Sequence, residues 1–302
     1  MGYLFLIIPT IMWSFVGFFV KTASFTFDSG TITFSRFFFG VFAILLYAAI
    51  TRTKITWNLT SRFIWLGVIG KSANYLFENM AISIGYSYGN IVEAPLQTVI
   101  LILASVFYLK KPLWLTEAAA VALCLIGVMM VQLNGHNWSE MFSANGIVLL
   151  LFALAALGSA MHVLSQKLLV EHLDPASMNA STFLLASVLV FTPLPFQFEM
   201  HRPVPAMAFI SLLALGLITA FSFHFYAKAL KMVPFIVAVI VGNSGILFTI
   251  LWAKLFFHEP ISLTVWGGTL LLLFGVVLVH WPLAKSHKRK PLKFREMRQD
   301  HS

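Results

Sequence analysis

Residues Lys71 to Gln97 read KSANYLFENMAISIGYSYGNIVEAPLQ. The stretch begins in one apolar segment, turns between Gly85 and Asn90, and enters a second apolar segment. Into these two segments it places Lys71, Asn74, Glu78, Glu93 and Gln97. A charge at the centre of a membrane helix costs about 2.5–3.5 kcal/mol on insertion scales, and an apolar residue there returns about 0.3–0.6 kcal/mol. Lys71 and Glu78 therefore offset the gain from about a dozen apolar neighbours. Helices that carry such groups turn them away from lipid, so the hairpin reads as the floor and wall of a polar site inside a membrane protein.

The composition leads to the same place. The chain has 302 residues, 59% hydrophobic and 10% charged, with a mean hydropathy of +0.88. A soluble domain carries about 25% charged residues. A membrane helix needs about 20 apolar residues, so ten of them with short loops fill this length. The fold class expected is an all-α integral membrane protein of ten transmembrane helices in two inverted five-helix repeats. Continuous apolar runs without alternation exclude a β-barrel. The net charge of +9 is no nucleic-acid signal, because seven of the 20 Lys and Arg lie in the tail from Lys285 onward. The lone Cys124 sits in an apolar run and reads as a small buried hydrophobe. Met1 to Val20 has no basic leader region and is expected to be a retained helix.

The expected segments are 3–21, 31–50, 62–83, 88–108, 114–132, 145–166, 177–196, 206–228, 234–256 and 263–281, with Pro and Gly punctuating nearly every boundary. With both termini inside, the inner loops hold 8 Lys and Arg and the tail holds 7, against 3 outside. That bias places both termini in the cytoplasm.

A shift of 148 residues brings Ala81 onto Ala229, Pro112 onto Pro260, Gly127 onto Gly275 and Val131 onto Val279. Each half then holds five helices. An odd number forces the halves into opposite senses, which is the inverted repeat of secondary transporters, with the substrate site near the midplane between the repeats. The expected domains are 1–133 and 145–282, joined by a loop at 134–144 and followed by a basic tail at 283–302.

Trp13-Ser14, the tight hairpin between segments three and four, Pro95, and the His258-Glu259-Pro260 turn before a glycine-containing last helix carry a resemblance. From about Gly2 to Trp281 the chain resembles the ten-helix EamA-type transporters of the drug/metabolite transporter superfamily. The family's Glu before the last helix of a repeat is matched by Glu259 but replaced by Lys111 in the first half. Its fourth-helix Pro is matched by Pro95 but replaced by Asn243 in the second. The resemblance implies export or exchange of small metabolites, often amino acids, by alternating access in the cytoplasmic membrane, with the bacterial inner membrane as the expected location.

The candidate substrate site gathers Lys71, Asn74, Tyr75, Glu78, Glu93, Gln97, Trp13, His162, His224, Tyr226 and Asn243. Lys71, Asn74, Tyr75 and Glu78 are spaced to share one helix face. Glu93 and Gln97 share a face of the partner helix. Pro95 is expected to free a carbonyl by kinking the fourth helix, and Asn243-Ser244-Gly245 to open the ninth without a proline. Arg36 is expected to snorkel to the surface. Trp13, Tyr75 and Tyr226 are the candidates for stacking on a ligand, and Gly127, Gly268 and Gly275 for close packing of the fifth and tenth helices. No His, Cys and carboxylate set has metal-site spacing, so neither metal nor cofactor is expected.

The expected function is a secondary transporter of a small polar metabolite with both signs of charge in its cavity and carboxylates in excess. Amino acids or related zwitterionic or cationic compounds fit that. A proton-driven exporter of lipophilic cations is the alternative, and a membrane-embedded enzyme a remote one, since no HExxH or GxSxG motif occurs. Expected partners are a small-molecule substrate, protons as a possible coupling ion and the lipid bilayer, with no nucleic acid, in a monomer or weak dimer.

Overall fold

The structure, a computed structural model, describes residues 2–110, 114–137, 139, 146–169, 172–192, 204–230, 232–233 and 235–285. The Lys111-Pro112 pair, most of the 193–205 connection and the basic tail beyond Lys285 lie outside the described residues. Ten helical spans are found among the described residues. They are α1 (Gly2–Ser24), α2 (Ser29–Thr51), α3 (Arg62–Ile84), α4 (Glu93–Leu109) and α5 (Leu115–Leu133), then α6 (Gly146–Leu169), α7 (Pro175–Phe191), α8 (Ala206–Leu230), α9 (Phe235–Phe257) and α10 (Leu263–Lys285). Six spans are long and apolar enough to cross a membrane, and α7 and the described parts of α9 and α10 are apolar but shorter. The 23-residue α3 is in neither group. It carries Lys71, Ser72, Asn74, Glu78 and Asn79, all buried in the protein. Outward faces carry apolar side chains such as Phe42, Ile69, Phe107, Leu270 and Phe274, a surface suited to lipid.

Local chemistry sets the ends. Asp28 caps α2 by accepting from the Thr31 N–H and hydroxyl at 2.9 and 2.6 Å. Asp174 caps α7 through the N–H groups of Ala176 and Ser177, with Pro175 in the first turn. That cap starts α7 two residues before the expected boundary, and the helix ends at Phe191, five residues short of it.

The helix pairs reveal the symmetry. α3 lies chiefly against α6, and its repeat mate α8 against α1; α2 lies against α7, and α5 against α10. The major pairs join one helix from each half. Individual contacts obey the same 148-residue relation. A Cβ added to Gly127 would lie 2.9 Å from the Gly268 carbonyl, and one added to Gly275 would lie 3.2 Å from the carbonyl of Ala120, the mate of Gly268. Tyr75 bonds Thr219 at 3.2 Å, while their mates Phe223 and Lys71 meet with Nζ 5.0 Å from the ring centre. Lys110 and His258, also mates, end α4 and α9 in the same left-handed conformation, with φ of 50° and 52°. The glycine-mediated crossing of α5 and α10 is as expected, and Cys124 is fully buried within it.

Two backbone expectations are corrected, and a break appears where none was foreseen. Pro95 occupies the third position of α4, after a 3-10 turn at Gly89–Val92. There its missing N–H has no intrahelical acceptor to lose, so it starts the helix instead of kinking it. α9 runs unbroken through Asn243-Ser244-Gly245, where the Ser244 hydroxyl donates to the Val241 carbonyl at 2.6 Å. The break is in α1, at Phe15 between the arms Gly2–Ser14 and Val16–Ser24. The carbonyl of Ser14 accepts instead from Thr249 at 3.3 Å, and its hydroxyl accepts from the Trp252 indole at 2.9 Å. Interrupted backbone inside a bundle is tolerated when neighbouring helices supply such partners.

Candidate functional site

α3 reaches the centre because small residues let α6 approach it. A Cβ on Gly70 would lie 2.7 Å from the Gly158 carbonyl, and one on Gly158 would lie 2.5 Å from the Gly70 carbonyl. No other side chain fits at this crossing. The approach sets the carbonyl of Ala155 and the hydroxyl of Ser159 beside the polar face of α3 and α4. Asn74 donates to the Ala155 carbonyl at 3.0 Å, and Ser159 donates to Gln97 Oε1 at 2.6 Å.

Two linked polar groups result. In the first, Lys71 Nζ donates to Asn74 Oδ1 at 2.9 Å, and the amide of Asn74 donates to Glu93 Oε1 at 2.7 Å. One side-chain amide therefore spans a cation and an anion. In the second, Arg36 of α2 donates to Glu78 Oε2 at 2.8 Å and to Asn79 Oδ1 at 3.0 Å, and Asn79 donates to Thr33 at 2.8 Å. Tyr75 stands between the groups, with the Arg36 guanidinium 3.4 Å and Lys71 Nζ 4.1 Å from its ring centre. Tyr75 also stacks on Phe37, with ring centres 5.2 Å apart.

Arg36 does not snorkel. It is 2% exposed and forms, with Glu78, the ion pair found among the described residues. It stands eight residues past its helix cap, about 12 Å into the span, too deep for its stem to lift the charge back to the surface. The expected excess of carboxylate disappears with this residue, since Arg36 and Lys71 balance Glu78 and Glu93. Glu93 is the carboxylate held by an amide and not by a salt bridge.

An aromatic wall adjoins Lys71. Trp13 of α1 meets Phe223 and Tyr226 of α8 with ring centres 5.6 and 5.3 Å apart, and Phe223 meets His162 of α6 at 6.3 Å. His162 is 2% exposed, and neither of its ring nitrogens makes a hydrogen bond among the described residues. The structure thus brings together Lys71, Asn74, Tyr75, Glu93, Trp13, His162 and Tyr226, with Glu78 behind Tyr75 and Gln97 beside Ser159. His224 turns toward α2 instead, its ring 4.5 Å from that of Tyr47, and lines a narrow cleft with Ile44, Asn179 and Phe221. One position along a helix is a rotation of about 100°, so Phe223 and His224 cannot both face the centre. Asn243 lies half-buried in α9.

Arg36, Phe223, Thr219 and Ser159 were not expected here. For two of them the signal was in the sequence. The 148-residue shift places Thr219 on Lys71 and Phe223 on Tyr75.

At the end of the molecule where α3 ends, Glu259 is 8% exposed and accepts from Ser87. Burial pushes its carboxyl above the usual carboxylate range, against the pull of the Ser87 donors and Lys21.

No curated protein matches the chain. Among solved structures, one recorded as "Crystal structure of protein" aligns with a TM-score of 0.67 at 15% identity, over 94% of this chain and 98% of that one. The likeness shows a shared fold. The profile of the EamA-like transporter family matches residues 1–133 and 146–281. With nearly the whole length matched in two blocks, on a fold of two five-helix repeats, the chain belongs to the EamA-like transporter family.

Proposed function

We propose that the protein moves a small zwitterionic metabolite, an amino acid or a close relative, by alternating access around the Lys71–Asn74–Glu93 centre. One observation carries the reading. The Asn74 amide lies with its oxygen on Lys71 and its nitrogen on Glu93. A zwitterion in the same direction would set its carboxylate on Lys71 and its ammonium on Glu93, restoring both bonds in charge-assisted form. Trp13, Phe223 and Tyr226 would receive its side chain. Arg36 holds Glu78 in a pair of its own and leaves Glu93 as the ammonium site.

Proton coupling follows the same logic. A proton and a substrate ammonium compete for the Glu93 oxygens, which is the simplest route to antiport, whether in export or exchange. In this reading the protein sits in the cytoplasmic membrane of a bacterium with both termini inside, as the Lys and Arg bias indicates. Its unit is a monomer or weak dimer. The aromatic wall also supports a second reading, proton-driven export of lipophilic cations.

The test is a thermal-shift screen of detergent-purified protein with amino acids, polyamines and lipophilic cations, since a bound ligand stabilises by RT ln(1 + [L]/Kd). Zwitterions should stabilise wild type and fail with Lys71→Met. Affinity should rise with pH, and binding should release protons into weak buffer. Stabilisation by lipophilic cations alone, unchanged in Lys71→Met, would favour the second reading. A reporter fused after Ser302 and found outside the cell would overturn the orientation.

A further inference from the structure

The turn between α3 and α4 is fastened to the opposite half of the molecule. Ser87 donates its backbone N–H to both oxygens of Glu259, at 2.8 and 3.0 Å, and its hydroxyl to Oε2 at 2.9 Å. Glu259 stands in the connection between α9 and α10. The Tyr88 hydroxyl donates to the neighbouring Pro260 carbonyl at 3.5 Å, and Asn134 at the end of α5 donates to the same carbonyl at 3.2 Å. Lys21 of α1 grips the end of α3, donating to the carbonyls of Ile82, Ser83 and Gly85 at 3.1, 3.1 and 2.7 Å. The backbone of Ser87 lies so close to Gly17 that no side chain fits there.

These contacts close the end of the molecule where α1, α3, α5 and α9 finish and α4, α6 and α10 begin. The bonds of Ser87, Tyr88 and Asn134 join first-half elements to the α9–α10 connection of the second half, at the ends of the helices α3 and α4 that carry Lys71 and Glu93. The repeat relation puts Lys111 and Phe235 where Glu259 and Ser87 stand. The matching positions of the other half therefore supply neither the carboxylate nor the hydroxyl.

We propose that the Glu259–Ser87 contact is a one-sided latch, which keeps the central site closed toward the α3–α4 turn and must be released for the site to open there. The proposal rests on the alternating-access part of the reading above. Two halves that rock about a central site must separate at each end in turn, and here the separation breaks three hydrogen bonds to one buried carboxylate. The other end opens without that step, so the resting protein favours access from there.

The experiment measures distances across the latched end. In full-length protein with Cys124→Ser, spin labels are placed at Ile84→Cys and Leu263→Cys, which are 59% and 88% exposed on the two sides of the latch. Pulsed EPR in lipid nanodiscs reads the short-distance and long-distance populations. In Glu259→Gln one of the two acceptor oxygens becomes an NH2 that cannot accept from Ser87, and the ratio of long to short distances should rise about tenfold or more, as expected for lost hydrogen bonds and a mismatched buried donor. Ser87→Ala keeps the backbone bonds and loses the hydroxyl, so the ratio should rise about fivefold, and this milder variant decides the matter if Glu259→Gln does not fold. Distance distributions equal to wild type in folded variants would overturn the latch. The readout needs no substrate. A failed latch with zwitterion binding intact leaves the proposed function standing, and a shifted latch without zwitterion binding overturns only the substrate reading.

Discussion

Arg36→Met offers the sharpest test of how the centre is held together. The substitution removes the 2.8 Å bond to Glu78, the 3.0 Å bond to Asn79 and the stack at 3.4 Å on Tyr75. What matters most is the group left behind. Glu78 has a side chain 7% exposed and becomes a buried carboxylate without its cation. Breaking a buried pair from one side costs about 3–5 kcal/mol, more than any single bond in it returns. The lost stack accounts for about 2 kcal/mol of that. Glu78→Gln added to Arg36→Met removes the stranded charge while leaving an amide to bond its neighbours. The double variant should therefore be about 1–3 kcal/mol more stable than Arg36→Met alone, although it carries one more change. Equilibrium unfolding in SDS of detergent-purified wild type, Arg36→Met, Glu78→Gln and the double variant, followed by Trp fluorescence, gives all four corners of the cycle. Additive losses, with the double variant least stable, would show that Arg36 and Glu78 are not coupled and that the pairing argument fails.

Glu93→Gln should fold like wild type, because the amide still accepts from Asn74, yet lose about 1.5–3 kcal/mol of zwitterion binding, read by isothermal titration in detergent. Unchanged affinity would move the ammonium site elsewhere. Gly268→Ala places a methyl 2.7 Å from the Gly127 carbonyl and should destabilise by about 1–3 kcal/mol through overpacking of α5 on α10, measured in the same SDS titration. The latch should also respond to pH. Lys21 and Tyr88 are ionisable groups that face Glu259, and burial holds its carboxyl above the usual range. A carboxyl raised in the closed form keeps its proton there more readily than when hydrated. Closure should thus be strongest below the ordinary carboxylate range and weaken as pH rises through the raised value. The Ile84–Leu263 label pair reads this directly, and a distance distribution flat across that range would contradict it.

The sequence by itself determined the ten helices, their order and their repeat. Hydropathy and proline and glycine punctuation act over a few residues, so they are legible without a fold. The odd helix count per half made the inversion unavoidable. It also marked α3 as a helix with one face that must turn from lipid, because Lys71, Asn74 and Glu78 share that face. Tertiary structure alone decided who pairs with whom. Glu78 meets Arg36 from α2 and not Lys71 seven residues away on its own helix, and Lys71 reaches Glu93 only through Asn74. Those choices depend on the depth and rotation at which α2, α4 and α6 meet α3, and the Gly70–Gly158 crossing sets the approach of α6. The break in α1 is of the same kind. Nothing near Phe15 demands it, but Thr249 and Trp252, more than 230 residues away, supply the partners that stabilise it. A buried charge or an opened backbone is tolerated only where something distant satisfies it, and distance along the chain hides that partner until the helices have packed.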